Sequence, residues 1–362
     1  MSFAGMRVGL IGPLPPPSGG MANQTRQLGE LLASERAVVT VVQVNAPYRP
    51  HWLAGVPVLR SLARLLPYLL ALWRTAGKSE IFHVMANSGW SWHLFAVPAI
   101  WVGRLRGVAV VVNYRGGEAE AFLGRSGRMV SFSMRRANAL VVPSAFLHGV
   151  FSKFAMHPEI VPNIVDLGRF RPRDPVRTGE PHLLVARNLE PLYDNETAIR
   201  ALEILRQTFP GARLTIAGSG PQLQQLSSFA RARGLAASVT FAGRLEPFEM
   251  SALYRSADIL LNPSLADNMP NSILEAWSCG VPVVSTNVGG IPFMARDGVN
   301  ASLVPPTDPT AMAQACVHLL CDGALWDQRA QAGLAEAQRY TWACVQPVLH
   351  GIYCRSLAKE AA

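Results

Sequence analysis

Short, almost uniformly apolar runs recur along the chain, and each is followed by a turn and then by a stretch with helical spacing. In the first half these runs are residues 7–12, 37–44, 81–85, 108–114 and 139–144. Parallel strands that are covered by helices on both faces have this continuous rather than alternating pattern. The regular exchange of strand and helix predicts a doubly wound α/β domain.

The same pattern starts again after a stretch rich in Pro, Gly and charged residues, 160–181, which we interpret as an inter-domain linker. The later strands are predicted at 182–187, 212–218, 238–243, 258–264 and 281–286. Two similar α/β domains in series are therefore expected, at 1–165 and 166–344. Ligands of open α/β sheets bind beyond the carboxyl ends of the strands, so two such domains facing each other would form a deep cleft.

Composition supports two cores and leaves the partner open. The 362 residues are 49% hydrophobic and 16% charged, which suits two globular domains and argues against disorder. The net charge of +9 favours anionic partners, although a simple solubility surplus explains it equally well. The five cysteines contain no CxxC pair, so we expect neither a disulfide framework nor a zinc site, and a reducing cytoplasm fits best.

Two apolar stretches raise the question of a membrane. Residues 81–103 carry no charge, but their histidines, Asn, Ser and glycines favour a buried strand, loop and helix over a membrane span. No signal peptide is expected, because the chain begins with a strand. Residues 57–79 form a basic amphipathic pattern, which suits either a membrane interface or a helix packed on the first sheet and bent at Pro67. The histidines show no metal-ligand spacing.

The loop after the first strand, "IGPLPPPSGGMANQTRQLGELLA", contains Gly19 and Gly20 just before a predicted helix. Glycines let the backbone approach a ligand, and a helix N-terminus offers free N–H groups to a phosphate. The loop matches neither the dinucleotide fingerprint nor the P-loop, so a Pro-rich surface turn stays open as the alternative.

A second candidate is "SLADNMPNSILEAWSCGVPVVS", which places Asp267 and Glu275 around the start of a helix. We expect Asn271 to cap this helix and Gly280 to end it. Carboxylates accept hydrogen bonds from paired hydroxyls such as those of a ribose or a sugar ring. The alternative is that Glu275 complements the helix dipole and Asp267 lies in an ordinary loop.

Several motifs occur together in the order and spacing of one family. They are "VPNIVDLGRFRP" (161–172), "AGSGP" (217–221), "VTFAGRL" (239–245), "SADILLNPS" (256–264), and the carboxylate–seven residues–Glu motif with "EAWSCGVPVVSTNVGG" (275–290). Over nearly all its length the chain resembles the retaining glycosyltransferases of family 4, also called group 1 glycosyltransferases. The resemblance implies the GT-B fold, with two Rossmann-like domains facing a deep cleft and the C-terminal helix 345–362 packed back on the first domain.

The resemblance also implies a nucleoside diphosphate sugar as donor substrate, with no separate cofactor. Glu275 would bind the ribose hydroxyls, Asp267 the donor sugar, and Arg187 the diphosphate. Other residues would enclose the donor, namely Gly19 and Gly20 at the diphosphate, Asn268 and Met269 through their amides, and Gly218, Arg244 and Leu245 around the base. An arginine and helix N-termini stabilise a leaving diphosphate without a metal, and no DxD motif is present, so no metal is expected.

Two departures from the family pattern concern the cations of the site. Many members carry a Lys shortly after the arginine, where this chain has Leu192 and Tyr193. Many also carry a His before the glycine at the end of an N-domain strand, where Arg115 stands here. A guanidinium binds phosphate or acceptor but cannot act as a general base.

The resemblance therefore implies a hexosyltransferase that acts on a carbohydrate or lipid-linked acceptor in surface-glycan or exopolysaccharide synthesis. A cytoplasmic location is expected, at the inner face of the cytoplasmic membrane if the basic helix contacts anionic lipid. The alternatives are a non-catalytic nucleotide-sugar-binding protein and a sugar-nucleotide epimerase or hydrolase on the same fold. A nucleic-acid binder is disfavoured, since the basic residues are scattered.

Overall fold

The computed structural model describes residues 2–16, 19–46, 57–172 and 179–361, with side chains described outside 57–63. Residues 173–178 of the predicted linker and residues 17 and 18 of the first glycine loop therefore lie outside the described residues. The chain forms two compact units. Unit 1 comprises Met1–Asn163 with Val345–Ala362, and unit 2 comprises Ile164–Cys344.

Unit 1 is built on a six-stranded parallel sheet with the order β2-β1-β3-β4-β5-β6. Its strands are β1 (Arg7–Gly12), β2 (Val38–Gln43), β3 (Ile81–Ala86), β4 (Ala109–Tyr114), β5 (Ala139–Val142) and β6 (Glu159–Ile160). Every residue of β3 and β4 is buried, as the uninterrupted apolar runs predict for central parallel strands. The short edge strand β6 was not among the predicted strands.

Unit 2 repeats this plan with the order β12-β11-β10-β7-β8-β9, again all parallel. Its strands are β7 (His182–Ala186), β8 (Arg213–Ala217), β9 (Val239–Gly243), β10 (Ile259–Asn262), β11 (Val283–Thr286) and β12 (Ser302–Val304). The first strand β7 lies between β8 and β10, so the strand order reverses between β7 and β10. Such a switch point is where open α/β sheets bind ligands.

Helices cover the sheets of the two units. They are α1 (Gly20–Ser34), α2 (Pro57–Ala76), α3 (Val97–Leu105), α4 (Ala119–Met134), α5 (Ala145–Ser152), α6 (Asn195–Leu205), α7 (Leu223–Ala232), α8 (Pro247–Ser256), α9 (Asn271–Ser278), α10 (Pro309–Cys321), α11 (Gly323–Ala337) and α12 (Trp342–Ala361). Within the described part of the chain, none of them has the length and apolar character that crossing a bilayer requires.

The predicted strands of both halves are confirmed with shifts of one or two residues at their ends. The apolar stretch 81–103 forms β3, a turn, a π-helical turn at Trp92–Ala96 and most of α3, as its polar residues indicate. Trp92 is fully buried in the core of unit 1, whereas Trp90 is 78% exposed beyond the end of β3.

Candidate functional site

The switch point of unit 2 brings together two of the predicted site residues. Arg187 follows β7, and its Nε donates a hydrogen bond of 2.8 Å to Oδ1 of Asn262 at the end of β10. A second nitrogen of the guanidinium pairs with the carboxylate of Asp267, in the loop that follows β10. The two side chains are only 12% and 13% exposed. A cation and an anion are thus held side by side at the edge where a ligand is expected.

The Asp267 loop is fixed by two adjacent glycines, Gly289 and Gly290, at the end of the Glu275 motif. The amide of Gly290 donates to the carbonyl oxygen of Asp267 at 2.9 Å. A Cβ at Gly289 would lie 2.1 Å from the Asp267 carbonyl oxygen, and one at Gly290 would lie 2.1 Å from that of Asn268. No other residue type fits without moving the loop, so this glycine pair sets the position of Asp267.

Glu275 lies in the second turn of α9 and is half-buried. Its carboxylate accepts a hydrogen bond of 2.8 Å from the hydroxyl of Tyr254 on α8. Burial raises the pKa of Glu275 to about 7, although the Tyr254 hydrogen bond and the positive charge of Arg187 act in the opposite direction. The carboxyl group therefore changes its charge near neutral pH.

The prediction that Asn271 caps α9 is wrong by one position. The cap residue is Pro270, with extended backbone and no side-chain cap, and Asn271 is the first residue of the helix. Proline at this point fixes the backbone angle and needs no N–H, which a helix start leaves unpaired anyway. Gly280 follows the last turn with φ of +68°, which confirms it as the end of the helix.

The remaining predicted donor residues of unit 2 have different surroundings. The backbone of Gly218 packs so closely that a Cβ there would lie 2.0 Å from the Arg187 carbonyl oxygen. Arg244 donates to Oγ of Ser219 at 3.1 Å, and Leu245 packs against the apolar core. The amide of Asn268 donates to Oδ1 of Asp267 at 2.9 Å, and the Met269 side chain is buried in the core.

Tyr193 stands where the family resemblance leads one to expect a lysine. The Arg187 guanidinium lies 5.2 Å from the centre of the Tyr193 ring. Burial raises the pKa of Tyr193, which keeps its hydroxyl protonated. The ring therefore offers a packing surface for Arg187 and a neutral hydrogen-bond donor in place of a second cation.

In unit 1, Gly19 and Gly20 lie at the start of α1, after the carboxyl end of β1. Gly19 is the cap residue and has an extended backbone. Apart from its chain neighbours, no atom of the described residues lies within 4 Å of the position of a Cβ at Gly19. This leaves room beside Gly19, which the approach of an anion to a helix start requires. The placement of both glycines at the donor diphosphate stays a prediction.

Arg115 follows the carboxyl end of β4 and is held by two amide side chains. Its Nε donates to Oδ1 of Asn113 at 3.2 Å, and another of its nitrogens donates to Oδ1 of Asn163. Burial lowers the pKa of Arg115 to about 10. The guanidinium thus remains charged at neutral pH and has a fixed orientation.

A chain of hydrogen bonds connects Arg115 to the buried core of unit 1. Since Oδ1 of Asn113 accepts from Arg115, its Nδ2 donates to Nε2 of His83 at 3.0 Å. The proton of the neutral imidazole then sits on Nδ1 and is donated to the Tyr353 hydroxyl, 2.9 Å away. Burial, and then the charge of Arg115, lower the pKa of His83 to about 3. His83 is therefore a neutral structural link and not a general base.

Across the described residues, no group of three or more His, Cys, Asp or Glu side chains is placed to hold a metal ion.

Comparison with known proteins shows which family the second half of the chain resembles. Residues 180–322, which contain Arg187, Asp267 and Glu275, match the family model "Glycosyl transferases group 1". This part of the chain is similar to the group 1 glycosyl transferases. The chain is 32% identical over 253 residues to a glycogen synthase of Mycobacterium tuberculosis, and 28% identical over 228 residues to a D-inositol 3-phosphate glycosyltransferase of Segniliparus rotundus.

The two matches cover 66% and 60% of this chain, but only 61% and 51% of the relatives' own lengths. Solved structures resemble it over almost its whole length. A sucrose-phosphate synthase from Thermosynechococcus elongatus gives a TM-score of 0.77 at 20% identity and covers 98% of this chain and 100% of its own. HepE of Anabaena, solved in complex with UDP, gives 0.74 at 17% identity, with 96% and 99% covered. These likenesses confirm the predicted GT-B fold.

Proposed function

We propose that this protein is a group 1 glycosyl transferase that moves a sugar from a nucleoside diphosphate sugar to a carbohydrate or lipid-linked acceptor, in the synthesis of a surface glycan or exopolysaccharide. The observation that carries the proposal is the Arg187–Asp267 pair at the switch point of unit 2, with Glu275 close enough for Arg187 to influence its pKa. A cation suits the leaving diphosphate, and two carboxylates suit the hydroxyls of a sugar and a ribose.

The proposed reaction retains the configuration of the sugar. The bond between the sugar C1 and the diphosphate oxygen breaks while the acceptor oxygen bonds to C1 on the same face. The acceptor's proton passes to the departing diphosphate oxygen, so no protein base is required. Arg187 stabilises the charge that develops on the diphosphate without a metal ion, and Asp267 orients the sugar hydroxyls.

The donor is tested by thermal unfolding of the full chain with UDP-, GDP-, ADP- and dTDP-glucose. UDP-sugars are the first candidates, because the HepE structures include complexes with UDP and UDP-glucose. A ligand that binds only the native state at a hundredfold excess over Kd should raise Tm by about 5 °C or more. Glu275→Gln should remove most of this shift, while Glu203→Gln, which changes a carboxylate paired with Arg233 in the same unit, should keep it.

The pH dependence of donor binding follows from the raised pKa of Glu275. Because the ionised carboxylate is the better acceptor for ribose hydroxyls, donor affinity should rise about tenfold between pH 6 and pH 8.

The folding stability of the protein without donor should depend on pH in the opposite direction. The stability that protonated Glu275 contributes is complete below its unfolded pKa and is lost as pH rises through about 7. Calorimetric titrations check both, and an affinity independent of pH in the unmodified protein would contradict this role of Glu275.

Product analysis distinguishes the alternatives. A transferase should release little free sugar from its donor until an acceptor is added, whereas a hydrolase releases sugar and an epimerase converts the donor without any acceptor. A thermal shift with an intact donor under every acceptor condition would instead favour a non-catalytic nucleotide-sugar-binding protein.

The proposal includes contact of unit 1 with an anionic membrane surface. Helix α2 buries Tyr68 and Leu72, yet it also leaves Leu66, Leu70 and Trp73 64%, 49% and 46% exposed. Packing against the sheet explains only the buried face. The exposed face has the apolar side chains and the basic surroundings of an interfacial helix. Sedimentation with phosphatidylglycerol vesicles should carry the protein down, and Leu70→Gln with Trp73→Gln should reduce this at least threefold. Equal sedimentation of both proteins would contradict it.

A further inference from the structure

A basic pocket lies at the amino-terminal edge of the unit 1 sheet. It has a volume of about 590 Å³ and is lined by Trp101, Arg104, Arg135, Arg136, Asn138 and Lys359. Helices α3 and α4 end there, and β5 begins there. The carboxyl ends of the strands, where Arg115 and the first glycine loop lie, are at the other edge, about 20 Å away along a six-residue strand. The pocket is therefore separate from the site described above.

The charges that line this pocket do not cancel. Four cations converge on it, and the carboxylate that pairs with one of them is Glu360, 3.2 Å from Arg104. In the described part of the chain, Arg135, Arg136 and Lys359 form no ion pair. The C-termini of α3, α4 and α12 each add roughly half a negative charge. Together with Glu360 they leave a surplus of roughly one to two positive charges, which suits a phosphate group.

One of the cations is already held in a fixed position. The guanidinium of Arg136 lies 4.4 Å from the centre of the Phe132 ring and 5.4 Å from that of Trp101. Aromatic packing restricts the rotamers of the Arg136 side chain, so this side chain would lose less conformational entropy when a ligand binds. A planar guanidinium also offers the paired N–H groups that phosphate oxygens accept.

We propose that this pocket binds the phosphate group of a phosphate ester, as a second anion site distinct from the donor site. The rim supports an organic ester over a bare ion, because Leu105 and Phe132 beside it are 72% and 53% exposed. The same phosphate chemistry is available from a lipid headgroup and from a soluble phosphate ester.

The pocket is tested with Arg135→Gln combined with Lys359→Gln. Both side chains are exposed, so neither change should disturb folding, and thermal melts verify this. The matched control is Arg125→Gln with Arg128→Gln, which removes the same charge from exposed positions on α4 outside the lining. All proteins also carry Arg187→Gln with Asp267→Asn, which weakens the donor site without leaving a buried carboxylate unpaired. Binding of inorganic phosphate at fixed ionic strength is followed by ³¹P NMR. The Kd should rise at least tenfold in the pocket variant and stay within twofold in the control.

Vesicles distinguish the source of the phosphate. Sedimentation with phosphatidylglycerol vesicles that drops at least threefold in the pocket variant alone, with phosphatidylcholine vesicles as reference, identifies a lipid headgroup. Unchanged vesicle binding with weakened phosphate binding identifies a soluble ester. Phosphate and vesicle binding that are equal in the pocket and control variants would overturn the proposal.

Discussion

Replacing Arg187 by Gln is expected to lower kcat for sugar transfer about 100- to 1000-fold, the range seen when a preoriented stabiliser of developing charge is removed. In the structure the guanidinium is oriented by Asn262 and paired with Asp267. Glutamine keeps one hydrogen-bond donor but loses the positive charge that would stabilise the leaving diphosphate in the proposed reaction. Initial rates with the donor identified by thermal shift measure the change.

The same substitution separates chemistry from folding when it is combined with a second one. Arg187→Gln alone leaves the Asp267 carboxylate without its ion-pair partner, at a cost of about 3 kcal/mol of folding free energy. Adding Asp267→Asn should restore most of the stability but none of the activity. Arg213→Gln, an exposed arginine at the start of β8, serves as the control and should change neither. A rate within threefold of the unmodified protein in Arg187→Gln would exclude Arg187 from catalysis.

Gly290→Ala is expected to lower both stability and activity, although it adds a single methyl group. The new Cβ would lie 2.1 Å from the carbonyl oxygen of Asn268, a backbone atom that cannot rotate away. The loop must shift, which should cost about 2–3 kcal/mol of folding free energy and move Asp267 out of place. Because small displacements of reacting groups are costly, turnover should fall about 100-fold. Urea unfolding and initial rates measure the two effects.

Gly323→Ala is the matched control for this experiment. Gly323 is the first residue of α11 in the same unit. Apart from its chain neighbours and its own helix backbone, no atom of the described residues lies within 4 Å of its Cβ position. Alanine there should leave turnover unchanged and unfolding equal or slightly more difficult. If both glycine variants behave alike, the close packing at Gly290 does not position the loop.

The sheet of each unit was predictable because parallel central strands are apolar throughout. β3 and β4 stand out against their polar turns and are fully buried. The two missed strands, β6 and β12, have two and three residues and lie at sheet edges. Their burial is incomplete, so they carry no apolar run that periodicity can detect.

Motifs in the sequence predicted Arg187, Asp267 and Glu275 as candidate site residues, but they did not identify the residues that hold them. Asn262 contacts Arg187 from 75 positions away in the chain, and Tyr254 contacts Glu275 from 21 positions away. No local sequence pattern marks such pairs. The close approach of Gly290 to the Asp267 loop likewise exists only after folding. The paired glycines were a visible signal, since two adjacent residues without side chains after a buried strand indicate close backbone contact.

The helix α12 has a consequence for synthesis of the chain on the ribosome. Its residues Leu349, Ile352 and Tyr353 are buried in unit 1, whose other residues end at Asn163. All of unit 2 is translated between these two parts. Unit 2 is continuous and can close its core as soon as it emerges, whereas unit 1 must wait with an incomplete core. The core of unit 1 is thus completed only after unit 2 has been translated, and the first unit passes through this interval with apolar surface uncovered.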